Sequence, residues 1–117
     1  MTVIAEVSDG LEAVHKAAVL KPDLILMDIG LPAINGIEAA RRIHKLSPES
    51  KIVFLSQETS TDIVKEALST GAWGYIVKAN AASHLLEAVE TVVSGTRFLP
   101  SETFVSSPTA QDAQSAE

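Results

Sequence analysis

The chain has 117 residues, 46% of them hydrophobic, which is enough for one domain with its own core and too few for a second. Its net charge is −6, and no basic cluster exceeds Arg41-Arg42, so a nucleic-acid surface is not expected. The absence of cysteine excludes disulfides and thiolate metal sites. No apolar stretch approaches the ~20 residues that span a bilayer, and the N-terminus lacks a signal peptide. We therefore expect a soluble, cytoplasmic protein.

The first half of the chain predicts two strands and two helices. A β-rich segment, 2–7, is followed by apolar residues at helical spacing, with Asp9 as a capping residue and Lys21-Pro22 as the stop. Residues 23–27 contain consecutive apolar side chains, a pattern typical of a parallel strand that is buried on both faces. Asn35-Gly36 then opens a second helix.

The second half repeats this alternation. A third apolar strand is predicted at 51–55, and a helix capped near Ser60 follows it. A fourth strand at 74–77 leads to a helix at 80–94, whose apolar residues recur every three or four positions. Residues 101–117 are rich in Ser, Thr, Ala and Gln with scattered acids. We therefore expect one domain in residues 1–100 and a disordered acidic tail after it.

The predicted order β-α-β-α-β-α-β-α indicates a parallel sheet with right-handed helical crossovers. The carboxyl ends of such strands meet at one edge of the sheet, where ligands bind in open α/β folds. Asp28, Ser56 and Lys78 follow the second, third and fourth strands, respectively. The topology therefore predicts that a carboxylate, a hydroxyl and an ammonium group converge at this edge.

Several motifs accompany these three residues: PDLILMD at 22–28, LP at 31–32, NG at 35–36, VFLS at 53–56, GA at 71–72 and GYIVK at 74–78. In combination they resemble the receiver domain of two-component response regulators, of the NarL/FixJ type. The resemblance implies a flavodoxin-like (CheY-like) α/β fold. It also implies Asp28 as phosphoacceptor, Lys78 and Ser56 as ligands of the phosphoryl oxygens, and Tyr75 as an aromatic that switches together with Ser56. A sensor histidine kinase or a small phosphodonor would be the partner.

The resemblance begins at the family's second strand, so the first strand, its acidic pair and the first helix have no counterpart here. In the family that pair helps to bind Mg²⁺, together with the phosphoacceptor and a backbone carbonyl, here Asp28 and Gly30. We therefore expect Mg²⁺ to bind weakly or not at all. Glu6 or Asp9 would partly replace the pair if the first strand moved toward Asp28.

The family strand order 2-1-3-4-5 makes the absent strand the central one. Two outcomes are open: a four-stranded sheet of order 2-3-4-5, or a gap filled by a second chain. An apolar stripe on the last helix, around Leu85, Val89 and Val92, would lose its cover. This stripe and the exposed sheet edge predict a homodimer.

The leading interpretation is a signalling module whose output is protein–protein contact, without direct DNA binding and with no enzyme activity beyond phosphorylation and dephosphorylation of Asp28. One alternative is a pseudo-receiver that dimerises without phosphorylation. Another is a small ester hydrolase that uses Ser56 with a histidine and an acid, although the chain lacks the G-x-S-x-G motif. His15, His44 and His84 show no ligand spacing, and Trp73 is interpreted as a packing residue or a partner contact rather than a stacking platform.

Overall fold

Strands and helices alternate along the chain, as the hydrophobic periodicity predicts. The computed structural model describes residues 2–4, 7, 9–30, 34–57 and 59–99. Its strands are β1 Val3–Ile4, β2 Leu24–Met27, β3 Lys51–Ser56 and β4 Gly74–Val77. Its helices are α1 Gly10–Leu20, α2 Gly36–Leu46, α3 Thr61–Leu68 and α4 Ala81–Val93, with a 3-10 turn at Lys78–Asn80 before α4. The predicted tail at 101–117 lies outside the described residues.

The strands form one parallel sheet of order β1-β2-β3-β4. β1 pairs directly with β2, with Val3 opposite Leu24, and the Thr2 N–H donates to the Asp23 carboxylate at 2.8 Å beside this pair. The four-stranded alternative is therefore confirmed. Of the predicted segment 2–7, Thr2 and Val7 lie outside β1, and residues 5–6 lie outside the described residues.

The two faces of the sheet carry separate apolar layers, because successive strand residues point to opposite sides. On one face, α1, α2 and α3 pack against the sheet. The strand residues of this layer are Ile4, Ile25, Met27, Ile52, Phe54 and Tyr75. On the other face, α4 packs through Ala88 and Val92 against Leu24, Val53 and Ile76.

The apolar stripe predicted on the last helix is only partly buried. Val92 is fully buried and Leu85 and Val89 are partly buried, whereas Leu86 is 71% exposed. Ala88, which the periodicity did not single out, is completely buried. Among the described helices α4 is the one that packs on this face, so the outer part of its stripe contacts no second helix and remains in solvent.

After α4 the chain returns to the open side of β4. The Phe98 N–H donates to the Trp73 carbonyl at 2.8 Å, and the Tyr75 N–H donates to the Phe98 carbonyl at 3.1 Å. Lys51 and Arg97 lie over the Trp73 ring, at 4.5 and 4.8 Å from its centroid. Trp73 is therefore a packing residue, as expected, and it fixes the returning segment to the sheet.

No helix in the described part of the chain is long and apolar enough to cross a bilayer.

Candidate functional site

Asp28 stands immediately after β2, at the carboxyl edge of the sheet. The preceding Met27 is fully buried and anchors the strand end. One carboxylate oxygen of Asp28, Oδ1, accepts the Gly30 N–H at 2.9 Å, and the other, Oδ2, lies 2.5 Å from the Lys78 ammonium. The carboxylate is therefore held by a tight turn on one side and by a cation on the other, while 36% of the side chain remains exposed.

Ile29, which directly follows Asp28, is held against the start of α2. The Gly36 N–H donates to the Ile29 carbonyl at 2.8 Å, and the Asn35 side chain caps the helix by accepting the Glu38 N–H at 2.9 Å. A Cβ atom at Gly36 would lie 2.2 Å from the Asp28 carbonyl oxygen. Only glycine has room at this position, so the start of α2 packs directly against the Asp28 backbone.

Ser56 and Lys78 reach the same edge from the neighbouring strands. Ser56 is the last residue of β3 and is 2% exposed, and its register partner on β4 is Val77. Lys78 follows Val77 and extends to Asp28, 50 positions earlier in the chain. The structure thus brings together the three residues that strand order predicted. They line a pocket of about 320 Å³ formed by Asp28, Ile29, Gly30, Ser56, Gln57 and Lys78.

Opposing effects act on the acidity of Asp28. Partial burial acts to raise the pKa of its carboxyl, but hydrogen bonds from Lys78 and the Gly30 N–H, and the charge of Lys78, lower it further than burial raises it. The net pKa lies below its ordinary value of 3.8. Asp28 is therefore ionised at neutral pH, as a nucleophilic carboxylate must be.

Tyr75, the aromatic that is expected to switch together with Ser56, is buried. Its side chain is fully buried and packs at a tilted angle on Phe54, with ring centroids 6.3 Å apart. Tyr75 therefore belongs to the core, next to Gly74, which pairs with Phe98, and three residues before Lys78.

The three histidines lie away from this pocket. His44 packs its ring against Gly71, and His84 contacts the Phe98 ring edge-on at 6.1 Å. His15 is exposed on α1. None of them is among the described residues that line the pocket with Ser56, so a serine–histidine hydrolase site is not supported.

Sequence reasoning did not identify Gln57 or Ile29 as lining residues of this pocket. Both directly follow a predicted site residue at a strand end. That position was a usable signal for Gln57, because a polar side chain one residue beyond a buried strand end lies at the rim of any site there.

The donor set for a metal ion is small. No group of three or more His, Asp or Glu side chains with metal-binding geometry occurs among the described residues. One oxygen of Asp9 accepts the Glu12 N–H at 2.7 Å as the cap of α1, and Glu6 lies outside the described residues. Among the described residues, Asp28 and the Gly30 carbonyl are the candidate ligands at this pocket.

The chain is thus a small α/β domain in which a carboxylate, a hydroxyl and an ammonium group lie together at the carboxyl ends of adjacent parallel strands. The family model for the response regulator receiver domain matches residues 1–90. The chain therefore belongs to the response regulator receiver domain family of two-component systems.

Individual relatives agree with this assignment. The chain is 41% identical over 90 residues to the chemotaxis protein CheY of Thermotoga maritima, covering 77% of this chain and 75% of that protein. It is 40% identical over 102 residues to the transcriptional regulatory protein LnrK of Bacillus subtilis, covering 87% of this chain and 46% of that protein. This chain thus spans less than half the length of that regulator.

A solved structure shows the same fold. The crystal structure of a LuxR-family two-component response regulator from Aurantimonas sp. SI85-9A1 superposes with a TM-score of 0.80 at 28% identity, covering 87% of this chain and 73% of that one. The predictions of a CheY-like fold and of a NarL-type receiver are confirmed.

Proposed function

We propose that Asp28 is the residue of this receiver that accepts a phosphoryl group. The observation that carries the proposal is the Lys78 ammonium 2.5 Å from the Asp28 carboxylate, at the mouth of an open polar pocket. An Asp28 oxygen forms a bond to phosphorus while the bond from phosphorus to the donor's leaving group breaks, and the leaving group departs with that electron pair. The product is an acyl phosphate.

The neighbouring side chains have separate roles in this proposal. Charge on the transferring group spreads over its equatorial oxygens, so catalysis depends on positioned cations and donors. Lys78 binds one of these oxygens and the Ser56 hydroxyl donates to another. Since the Ser56 side chain is nearly completely buried at its strand end, its movement toward the phosphoryl group would shift β3 against β4, where Tyr75 is packed.

The donor is either a sensor histidine kinase or a small phosphodonor in the cytoplasm, and the output is contact with another protein. The exposed lysines and arginines do not favour a DNA surface. Three of the arginine contacts are ion pairs with acids: Arg41 with Glu38 and Glu66, and Arg42 with Glu38. Direct nucleic-acid binding is therefore not part of the proposal.

Mg²⁺ binding is proposed to be weak, because the described carboxylates offer Asp28 alone at this pocket. The Lys78 charge then supplies most of the compensation that an approaching anionic donor needs. No step of the proposal depends on a tightly bound metal.

Labelling with acetyl phosphate tests the phosphoacceptor. Wild-type protein gains the mass of one phosphoryl group, in a form that hydroxylamine removes, whereas Asp28→Asn gains none. Asp62→Asn, an exposed acid in the first turn of α3, is the matched control and is labelled normally. Labelling of Asp28→Asn, or no labelling of wild type at any Mg²⁺ concentration, would contradict the proposal. Labelling that saturates at micromolar Mg²⁺ would contradict weak metal binding alone.

We further propose that the receiver forms a homodimer through the end strand β1 and the outer side of α4. β1 is the terminal strand of the described sheet, and its outer backbone groups point away from β2. Val3 on β1 and Leu86 and Val93 on α4 are 41%, 71% and 46% exposed. These exposed apolar side chains lie on β1 and on α4, the described helix that packs on the second face of the sheet. Covering them with a second copy of the chain would remove apolar surface from water, which favours association.

Light scattering tests the dimer. Wild type is expected at twice the chain mass of 12.4 kDa, and Leu86→Glu at the monomer mass, because the substitution places a charge in the apolar contact. Val19→Glu is the control, since Val19 is 65% exposed on α1, which packs on the other face. A monomeric wild type, or a dimer that only Val19→Glu disrupts, would overturn this interface. A dimer that forms equally without a phosphodonor would indicate a phosphorylation-independent module.

A further inference from the structure

We propose that Gln57 is a further anion-binding residue of this pocket, whose side-chain amide donates to a tetrahedral phosphoryl oxyanion held at Asp28. The inference rests on the proposed phosphoacceptor function and adds to it a residue outside the predicted trio. Three features of the described residues support it. Gln57 lies at the pocket wall, its side-chain amide has no hydrogen bond to another described residue, and few other groups are available to bind the third phosphoryl oxygen.

Gln57 directly follows Ser56, the buried last residue of β3, and its exposed side chain forms part of the wall of the pocket. The preceding strand residues fix its backbone, because Ser56 is in register with Val77 of β4. The amide therefore stands on the β3 side of a pocket whose other polar groups come from the ends of β2 and β4.

The Gln57 amide forms no hydrogen bond with another described residue, unlike the other polar groups of the pocket. The Lys78 ammonium contacts Asp28 Oδ2, and the Gly30 N–H contacts Asp28 Oδ1. An amide NH₂ that is free to rotate toward the pocket can bind an incoming oxyanion without first breaking a protein contact. Reorganisation at this residue is therefore small.

The chemistry of the ligand leaves a place for such a donor. A transferring phosphoryl group has three equatorial oxygens, and Lys78 and Ser56 account for two of them. A divalent cation would ordinarily bind the third, but the described carboxylates at the pocket are too few for a dedicated site. The amide nitrogen of Gln57 donates to this oxygen, directly or through one water, and brings no charge that would need its own partner.

Titration with fluoroberyllate, a tetrahedral mimic of the phosphoryl group, at one fixed Mg²⁺ concentration tests the inference. Gln57→Ala is expected to weaken the apparent affinity roughly tenfold, the usual effect of losing one hydrogen bond to a charged group. Gln57→Glu is expected to weaken it further, because it replaces the donor by an anion, and Gln57→Asn should retain part of the affinity. Thr59→Ala, an exposed polar residue of the same loop outside the pocket wall, is the control and should bind as wild type.

The outcomes separate this inference from the proposed function. Equal affinity of wild type, Gln57→Ala and Gln57→Glu would overturn the role of Gln57 while leaving Asp28 as the site. An equal loss in Thr59→Ala would also overturn it, since the effect would then belong to the loop. If wild type binds fluoroberyllate no better than Asp28→Asn, both proposals fail. Far-ultraviolet circular dichroism of each variant confirms that the exposed substitutions leave the fold intact.

Discussion

Gly36→Ala is expected to lower the free energy of unfolding by about 3 kcal/mol, at the upper end of the usual cost of overpacking. The added Cβ would lie 2.2 Å from the Asp28 carbonyl oxygen and 2.8 Å from the Ile29 Cα. Both are backbone atoms, which cannot rotate away as the end of a side chain can. Alanine is the better helix former by at most ~1 kcal/mol, so the clash dominates.

Chemical denaturation of Gly36→Ala measures this effect, and Gly30→Ala, two residues after Asp28, is its control. A Cβ at Gly30 would meet only the Asp28 Oδ1, at 3.7 Å, which is ordinary contact. The free energy of unfolding of Gly30→Ala should therefore differ from that of wild type by no more than about 0.5 kcal/mol, as is usual for surface substitutions. Equal stability of the two variants would show that α2 does not approach the Asp28 loop as closely as described.

Lys78→Met is expected to slow phosphoryl transfer to Asp28 about 100-fold, the usual effect of removing one charge-stabilising donor from an active site. The substitution keeps much of the apolar stem and removes the ammonium that lies beside the carboxylate. Rates of labelling with acetyl phosphate measure the loss. Lys65→Met, an exposed lysine on α3, should react as wild type, and Lys78→Arg should retain part of the rate. A rate for Lys78→Met close to wild type would contradict the role of Lys78.

The same substitution changes the titration of Asp28. Because the pKa of Asp28 is lower in the folded state, the contribution of this carboxylate to stability is present above its ordinary pKa of 3.8 and is lost as the pH falls through the folded-state pKa. Lys78→Met removes the hydrogen bond and the positive charge that lower the pKa of Asp28, so this pKa rises. Carbon NMR of the carboxyl group follows this rise directly. The effect on global stability is small, since both side chains are more than a third exposed.

Much of the fold was accessible from the sequence because the strands are short apolar runs between clear helix signals. β4 has the predicted ends, Gly74 and Val77, and β3 extends the predicted one by a single residue. Thr2 and Val7 were predicted in β1 but lie outside it, since β propensity shows where a chain can be extended but not where a partner strand stops pairing. Burial on α4 was also less predictable, because periodicity identifies a stripe, whereas the number of neighbouring helices decides how much of it is covered. Leu86 shares the stripe yet remains in solvent.

The site was predictable where topology alone decides position. Asp28, Ser56 and Lys78 follow consecutive parallel strands, and parallel strands deliver their ends to one edge. The depth of Tyr75, the Gly36 contact with the Asp28 carbonyl and the pocket wall at Gln57 depend on three-dimensional packing, which spacing does not encode. The sequence offered a glycine after a helix cap at Asn35, but nothing in it specified which backbone that glycine must approach.

The return of the chain at Phe98 makes the two ends of the sheet unequal. Beside Gly74 the chain's own backbone occupies the position that a visiting strand would take, and the Phe98 carbonyl would lie 3.0 Å from any Cβ placed there. An extended peptide therefore cannot pair with the backbone of β4 at Gly74. The edge of the described sheet that it can pair with is β1, at Val3. Among the described residues, the chain itself occupies the outer side of β4, whereas no strand pairs with the outer side of β1.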